Sequence, residues 1–224
     1  QNTTFKTFEA FVNAKSQWVY NMPSDSDMDL ALRYKNSTAD GVNYSLNASY
    51  NYDKNPIVNL SWRDDNGNLL YMINSNDSFT LNSAADGSGT AFGGLAGNVP
   101  TMRFEQKVER AKNIGGSSDM AIETEELGPV VIRGEALYQQ DIYSPIMNKA
   151  KLDIGNLPAA LEMVKGDKFK YVIGADITAL TNMMVSAQFI QERNLDFIDG
   201  DQLTGRYTAD YPTMSLLNGL NKAT

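Results

Sequence analysis

Charged and amide side chains recur at even spacings along several segments of the chain. Arg33 and Lys35, Asn43 and Asn47, Arg133 and Glu135, Lys170 and Asp176, and Gln188 and Glu192 are the pairs that could do chemistry. In an extended strand, even spacing puts the members of a pair on one face. Were the strands to close into a barrel, these groups would line its lumen, where rings of charge set ion preference. On any other sheet they would form a cross-strand salt-bridge network or the wet face of a soluble fold. Both readings stand at this point.

Covalent and metal chemistry is poorly supplied. The chain of 224 residues has no Cys and no His. That removes disulfides, thiolate nucleophiles, the usual zinc sites, haem ligation by His and any Ser-His-Asp triad. Glu125 and Glu126 are adjacent in a turn with no partner base. Asp25-Ser26-Asp27-Met28-Asp29 imitates the start of a calcium loop but lacks the glycine at position six and the glutamate at position twelve. Asp196, Asp199 and Asp201 surround Gly200 in a second acidic loop. Both loops read as solvated turn carboxylates. The Asn-x-Ser/Thr sequons at Asn2, Asn36, Asn43, Asn47, Asn59 and Asn76 reflect richness in Asn and Ser, since some lie inside strands. No enzyme activity and no cofactor or metal are expected.

The elements that must position these groups are strands. Residues 42–53, VNYSLNASYNYD, alternate without a slip: Val42, Tyr44, Leu46, Ala48, Tyr50 and Tyr52 against Asn43, Ser45, Asn47, Ser49, Asn51 and Asp53. Twelve residues rise about 40 Å at about 3.3 Å each. A bilayer core of about 30 Å needs only about nine to eleven tilted residues. The same alternation puts Met28, Leu30, Leu32 and Tyr34 opposite Asp29, Arg33 and Lys35. Val130, Ile132, Gly134, Ala136 and Tyr138 oppose Arg133, Glu135 and Gln139. Phe169, Tyr171, Ile173, Ala175 and Ile177 oppose Lys170, Asp176 and Thr178. Val185, Ala187 and Phe189 oppose Ser186, Gln188 and Glu192. Thr101 to Glu123 reads as one long stretch with a bulge or kink at Gly115-Gly116. Met214 to Leu220 is a short, ambiguous seventh piece.

Short and long connections alternate. NSTADG, TEELGP and LTNMM are short turns, whereas about 54–100, 141–168 and 193–212 read as long external loops. An up-and-down barrel in an outer membrane has this rhythm. Inside the long links, Asn66-Gly67 suits a type I′ turn joining Val58–Trp62 to Leu69–Ile73. Ser83 to Gly97 is a small-residue tract expected to be mobile. Leu157 to Gly166 reads as a short helix, with Pro158 near its start and Gly166 after its end. Residues 1–27 form an N-terminal segment in which Phe5, Phe8, Val12 and Lys15 have the spacing of a loop helix. Strands occupy 28–220.

Composition bounds the setting. Apolar residues make up 42%, mean hydropathy is −0.37, and the net charge is −8 with a pI near 4.6. The acidity argues against a nucleic-acid partner. No apolar run reaches the 18 residues of a transmembrane helix, but a barrel's polar lumen dilutes hydropathy and stays open. Tyr34, Tyr50, Tyr52, Tyr138, Phe169, Tyr171 and Phe189, with Leu46 between them, fall on the apolar face. Lipid contact and aromatic girdles near strand ends would put them there. Ordinary β-propensity would too.

The phrases MDLALRYK…GVNYSLNASYNYDKNP, GPVVIRGEALYQQD and DKFKYVIGADIT…VSAQFIQE resemble the proteobacterial outer-membrane β-barrel, porin-like family of domain of unknown function 1302. The resemblance covers about residues 28–220 and implies an outer-membrane barrel of a Gram-negative bacterium. It carries over no functional residue. Members are longer than this chain, and single-chain bacterial barrels close on an even strand number. These residues are therefore expected to be part of a larger barrel.

The expected fold is all-β, an antiparallel up-and-down transmembrane β-barrel with short helices in its loops. The expected function is a porin-like passive channel for small or hydrophobic organic solutes, located in the cell outer membrane. The alternative is a structural or interaction barrel with a plugged lumen, whose external loops dock a protein partner. A soluble β-rich adhesin-like domain is the third reading. The expected partners are outer-membrane lipid and small-molecule solutes.

Overall fold

The computed structural model describes residues 14–24, 26–75, 78–92, 98–125, 128–148, 151, 156–179, 183–198 and 206–208. Strands account for 71% of them. In chain order they are β1 (Lys15–Asn21), β2 (Leu30–Ser37), β3 (Asn43–Tyr52), β4 (Ile57–Arg63), β5 (Tyr71–Ser75), β6 (Ser78–Asn82) and β7 (Ala91–Phe92). Then come β8 (Thr101–Lys107), β9 (Arg110–Thr124), β10 (Gly128–Asn148), the single turn of helix α1 (Leu157–Ala160), β11 (Leu161–Ala179), β12 (Met183–Asn194) and β13 (Arg206–Thr208).

The main sheet is an antiparallel meander in the order β12-β11-β10-β9-β3-β2, with β13 added beside the far end of β10. Its short turns, β2 to β3, β9 to β10 and β11 to β12, lie at one end. The long connection from β3 to β9 leaves at the other end. Among the described residues the sheet does not close, because β2 and β12 are its free edges.

Two smaller sheets, β1-β8-β4 and β5-β6-β7, form a head at the long-connection end. The β3–β9 ladder runs into this head almost without a break. Tyr52 pairs with Arg110, Asp53 N donates to Glu109 O at 2.9 Å, and Ile57 then pairs with Lys107. The head holds an ordinary hydrophobic core of Trp62, Leu70, Leu81 and Met102, against which Leu60, Met72, Phe92, Phe104 and Leu157 pack.

The long hairpin of β10 and β11 reaches the same region. Its ladder breaks once, where Gln139 pairs with Lys168 and Ile142 with Gly166. Gln140 and Asp141 there oppose Asp167 alone, so the break is a β-bulge. Asp141 takes the left-handed conformation at φ 65°. Beyond the bulge Ile142, Ile146 and Met147 are buried, and α1 packs against β4, β10 and β11.

Several expectations are corrected here. Residues 141–168 are not an external loop, because β10 runs on to Asn148 and β11 starts at Leu161. Burial of both faces past the bulge erases clean alternation, and Pro145 reads as a breaker although it pairs with Met163. The helix expected over 157–166 ends at Ala160. Asn156 Oδ1 caps it, accepting from Ala159 N at 3.2 Å, and Leu161 turns extended to pair with Met147.

Thr101 to Glu123 is two strands in two sheets, parted at Val108-Glu109. The Gly115-Gly116 pair is no bulge, since the register passes through it unbroken on both sides. A Cβ at Gly115 would lie 2.8 Å from Ala136 O, and one at Gly116 would lie 3.0 Å from Ser45 O. These glycines allow close strand approach.

The turn at Asn66-Gly67 is not type I′, which needs positive φ at both central residues. Only Gly67 has it, at 84°, and Gly67 N donates to Asp64 O at 3.0 Å. A type I turn ending on a left-handed glycine results. After the Arg63–Leu69 bridge the chain leaves this hairpin, and β5 pairs with β6 instead. Within the small-residue tract, Ser83 to Thr90 closes on itself. Asn82 Nδ2 donates to Gly87 O and Gly89 O, each at 3.1 Å, and Ser83 Oγ accepts from Thr90 N at 2.8 Å. Lys15 begins a strand that runs parallel to β8 rather than a helix. Phe5, Phe8, Val12 and Met214–Leu220 lie outside the described residues.

Candidate functional site

Cross-strand registers decide which residues share a face of the meander. One row runs Tyr34–Leu46–Gly116–Ala136–Tyr171. The next row runs Lys35–Ser45–Ser117–Glu135–Val172. Directly paired residues point the same way and successive residues point opposite ways. The whole sheet therefore has one apolar and one polar face.

The polar face brings together Arg33, Lys35, Asn43, Asn47, Arg133, Glu135, Lys170, Asp176, Gln188 and Glu192. The apolar face carries Tyr34, Leu46, Tyr50, Tyr52, Tyr138, Phe169, Tyr171 and Phe189. The alternation therefore sorts both sets by face.

The apolar face is not buried, and neither face is covered along its whole length. On the apolar face Leu32 is 74% exposed, Ile114 66%, Leu46 59% and Ile173 56%. On the polar face Ser45 is 3% exposed, Asp176 8% and Lys168 9%, while Arg33, Lys35, Asn47, Glu135 and Gln188 stand exposed. Polar side chains cover one another around the buried members. Ser45 Oγ and Ser117 Oγ lie 2.8 Å apart, Asn113 Nδ2 donates to Asn51 Oδ1 at 2.9 Å, and Gln139 Nε2 donates to Asn113 Oδ1 at 2.9 Å.

Ion pairs finish the face towards β12. Arg133 Nη2 stands 2.5 Å from Asp176 Oδ2, an ion pair outside hydrogen-bond angles. Lys170 Nζ is 3.0 Å and Lys168 Nζ 3.7 Å from the Glu192 carboxylate. Towards β2 the cations stand differently. Arg33 and Lys35 have no ion-pair partner among the described residues, and with Asn43, Ser45, Ser117 and Asp119 they line a recess of about 350 Å³ beside the short turns. Asn43 Nδ2 donates to Asp119 Oδ2 at 2.9 Å.

Sequence reasoning placed Ser45 on this face but missed Lys168, Asn113 and Ser117. The same even spacing would have found them, since each sits in phase with a residue already selected. Apolar exceptions on the polar face are Val131 and Leu137 of β10, Val172 of β11, and Met184 and Ile190 of edge strand β12.

Aromatic rings gather towards the ends of the apolar face. Tyr50 and Tyr52 flank Arg110, whose guanidinium carbon lies 5.0 and 4.2 Å from their ring centroids. Arg110 also donates to Met28 O at 2.8 Å and lies 3.7 Å from Asp29. Tyr138 OH donates to Asp167, and Tyr171 OH donates to Gln191 Oε1 at 2.8 Å. At the short-turn end the rings of Tyr34 and Tyr44 are 6.2 Å apart.

The acidic loops hold no cluster of three or more candidate metal ligands among the described residues. Asp27 instead accepts from Ser24 N at 2.8 Å, and Asp196 accepts from Asp167 N at 2.6 Å. Asp25, Asp199 and Asp201 lie outside the described residues. No helix among the described residues is long and apolar enough to cross a membrane, which says nothing of strands. No family model matches the chain, and no curated protein or solved structure matches it either.

Proposed function

We propose that the meander is membrane-crossing wall of an outer-membrane β-barrel, and that the protein is a porin-like passive channel for small or hydrophobic organic solutes. The observation that carries this reading is the exposed apolar face: Leu32, Ile114, Leu46 and Ile173 stand open on a sheet whose other face is mainly polar. In water such a continuous apolar face is a liability, and contiguous patches of this kind mark contact with membrane or protein. Against lipid it costs nothing, and continuous ladders pair the backbone of the inner strands.

Further support comes from the aromatic rings near both ends of the apolar face and from the resemblance to porin-like barrels. Membrane barrels have eight strands or more. The six-strand meander is accordingly proposed as part of a larger ring. Solutes would pass along the polar face, where Asn43, Asn47 and the Ser45–Ser117 pair offer hydration and the ion pairs filter charge. The head would restrict the mouth.

The test is conductance in planar bilayers. Discrete single-channel steps from the purified, folded protein are expected. A stably inserted barrel that never conducts would remove the channel reading. It would favour the alternative, for which the head with its own core of Trp62, Leu70, Leu81 and Met102 is the specific observation. In that case the head would dock a protein partner above a plugged lumen.

A further inference from the structure

The recess beside the short turns owes its room to small side chains set among long ones. Arg33 and Lys35 of β2 are two residues apart, so both point to the polar face. Their neighbours across the ladders are short. Lys35 pairs with Ser45 and Ser45 with Ser117, while Ser37 pairs with Asn43 and Asn43 with Asp119. The two long cations therefore border an open space of about 350 Å³. That falls within the range of about 300–1,000 Å³ typical of small-ligand sites.

Charge in the recess is unbalanced. Arg33 and Lys35 are exposed, and neither has an ion-pair or hydrogen-bond partner among the described residues. Two like charges this close repel, and an anion shared between them removes the cost. Asp119 is the acid of the recess. Asn43 Nδ2 donates to its Oδ2 at 2.9 Å, and Asn43 Oδ1 accepts from Ser37 Oγ at 2.7 Å. The carboxylate is thus held through one oxygen and keeps Oδ1 open. Its cross-strand neighbour Arg133 is drawn to Asp176 instead.

Two free cations and one held carboxylate favour an anion that still has a proton to donate. A fully deprotonated anion pairs with the cations but meets Asp119 as a like charge. A protonated one turns that repulsion into a charge-assisted hydrogen bond. Phosphate keeps a proton at neutral pH and sulfate does not, although both are tetrahedral oxyanions of similar size. Lys35 and Asp119 stand two strands and one side-chain row apart, about 12 Å between Cα atoms at ordinary sheet spacings. One bound oxyanion and the two side chains together span that gap.

We infer that the recess binds a small oxyanion that keeps a proton, with hydrogen phosphate as its type. Arg33 and Lys35 donate to its oxygens, and Asp119 accepts its proton. The inference deepens the channel reading by naming a solute class for the polar face. Binding is measured without conduction, so the two can fail separately.

The experiment uses the full chain in detergent micelles at neutral pH and low salt. Inorganic phosphate is followed by ³¹P NMR line width, and sulfate is added as competitor. Saturable phosphate binding is expected, with sulfate about tenfold weaker. Arg33→Gln and Lys35→Gln should each weaken phosphate about tenfold, the scale of one lost charge-assisted hydrogen bond. Asp119→Asn keeps an oxygen for the Asn43 amide and should bring sulfate level with phosphate. Lys54→Gln, an exposed cation outside the recess, should change nothing. All four positions are exposed, and an unchanged unfolding midpoint in each variant shows that the fold persists. Saturable, recess-dependent binding by a barrel that never conducts would keep this inference and remove the channel reading. Phosphate that does not saturate would overturn the inference. So would binding that neither Arg33→Gln nor Lys35→Gln weakens, binding that Lys54→Gln weakens as much, or sulfate bound as tightly as phosphate by the unaltered chain.

Discussion

At the residue scale, neighbours on one strand face opposite worlds. Leu46 is 59% exposed on the apolar face, and Asn47 follows it on the polar face. If the apolar face meets lipid, Leu46→Arg should cost about 2–4 kcal/mol near the midplane, while Asn47→Arg should cost little. Folded fraction in liposomes across a urea series reads the difference, and equal effects would remove the lipid assignment. Face membership was legible in the sequence because a strand's period of two leaves no choice once one residue is placed. Turn geometry was not, because Asn-Gly suits several turns and only the backbone angles separate them. Asp64 shows what holds the turn that formed. Its carboxylate accepts from the Asn68 side-chain amide at 2.9 Å and from the backbone N–H groups of Asn68 at 2.7 Å and Asn66 at 2.9 Å. These donors, the Asn68 side chain first, hold its pKa below the ordinary aspartate value. A lowered folded pKa means that the stabilisation is complete above the unfolded value of about 3.9 and is lost as pH falls through the folded one. The amide resonances of Gly67 and Asn68 should therefore titrate below that value, and Asp64→Asn should abolish the transition. A midpoint at or above the ordinary value would contradict the assignment.

At the element scale, the strands that the sequence revealed are those with one wet and one dry face. The far end of β10, which it concealed, is buried or half-buried on both faces, whereas the largely exposed β1 was concealed by helical spacing. Val130 to Tyr138 alternates cleanly, yet Ile142, Ser144, Ile146, Met147 and Asn148 of the same strand are all buried. Polarity then stops reporting direction, and the positive φ of Asp141 shifts the pairing by one residue. The Gly115-Gly116 pair misled for a related reason. Glycine in a strand signals either a bulge or a close approach, and only the register tells which. Here the neighbours are backbone oxygens, Ala136 O at 2.8 Å and Ser45 O at 3.0 Å from the built Cβ positions. Backbone cannot swing aside as a side-chain tip can. Gly115→Val and Gly116→Val should each destabilise the β3-β9-β10 ladders by about 1–3 kcal/mol, the usual cost of overpacking. Gly134→Val should be milder, since the nearest atom is Ser118 Oγ at 3.9 Å. Unfolding midpoints of the three variants in one detergent test the order, and a Gly134 variant as damaged as the others would reject it.

At the scale of the whole molecule, alternation encodes faces but not how many strands complete a ring, so closure was never legible. What the registers add is a distribution of charge over the polar face. Arg133 is answered by Asp176, and Lys168 and Lys170 are answered by Glu192, so these groups nearly cancel locally. Among the described residues Arg33 and Lys35 are not answered, and both line the recess beside the short turns. Asp119 lines the same recess and takes the Asn43 amide. In a conducting barrel, uncompensated cations at one mouth attract anions over roughly a Debye length, about 10 Å at 0.1 M salt. Reversing both, Arg33→Glu with Lys35→Glu, should therefore shift the reversal potential in a potassium chloride gradient towards cation preference. The shift should shrink as salt rises and screening shortens. Reversing a compensated pair instead, Arg133→Asp with Asp176→Arg, exchanges charges within one ion pair and should leave selectivity nearly unchanged. Steady single-channel conductance in both variants keeps the comparison interpretable, because it shows that the wall still closes. A double reversal at Arg33 and Lys35 that conducts with unaltered selectivity would mean that ions do not pass along this face.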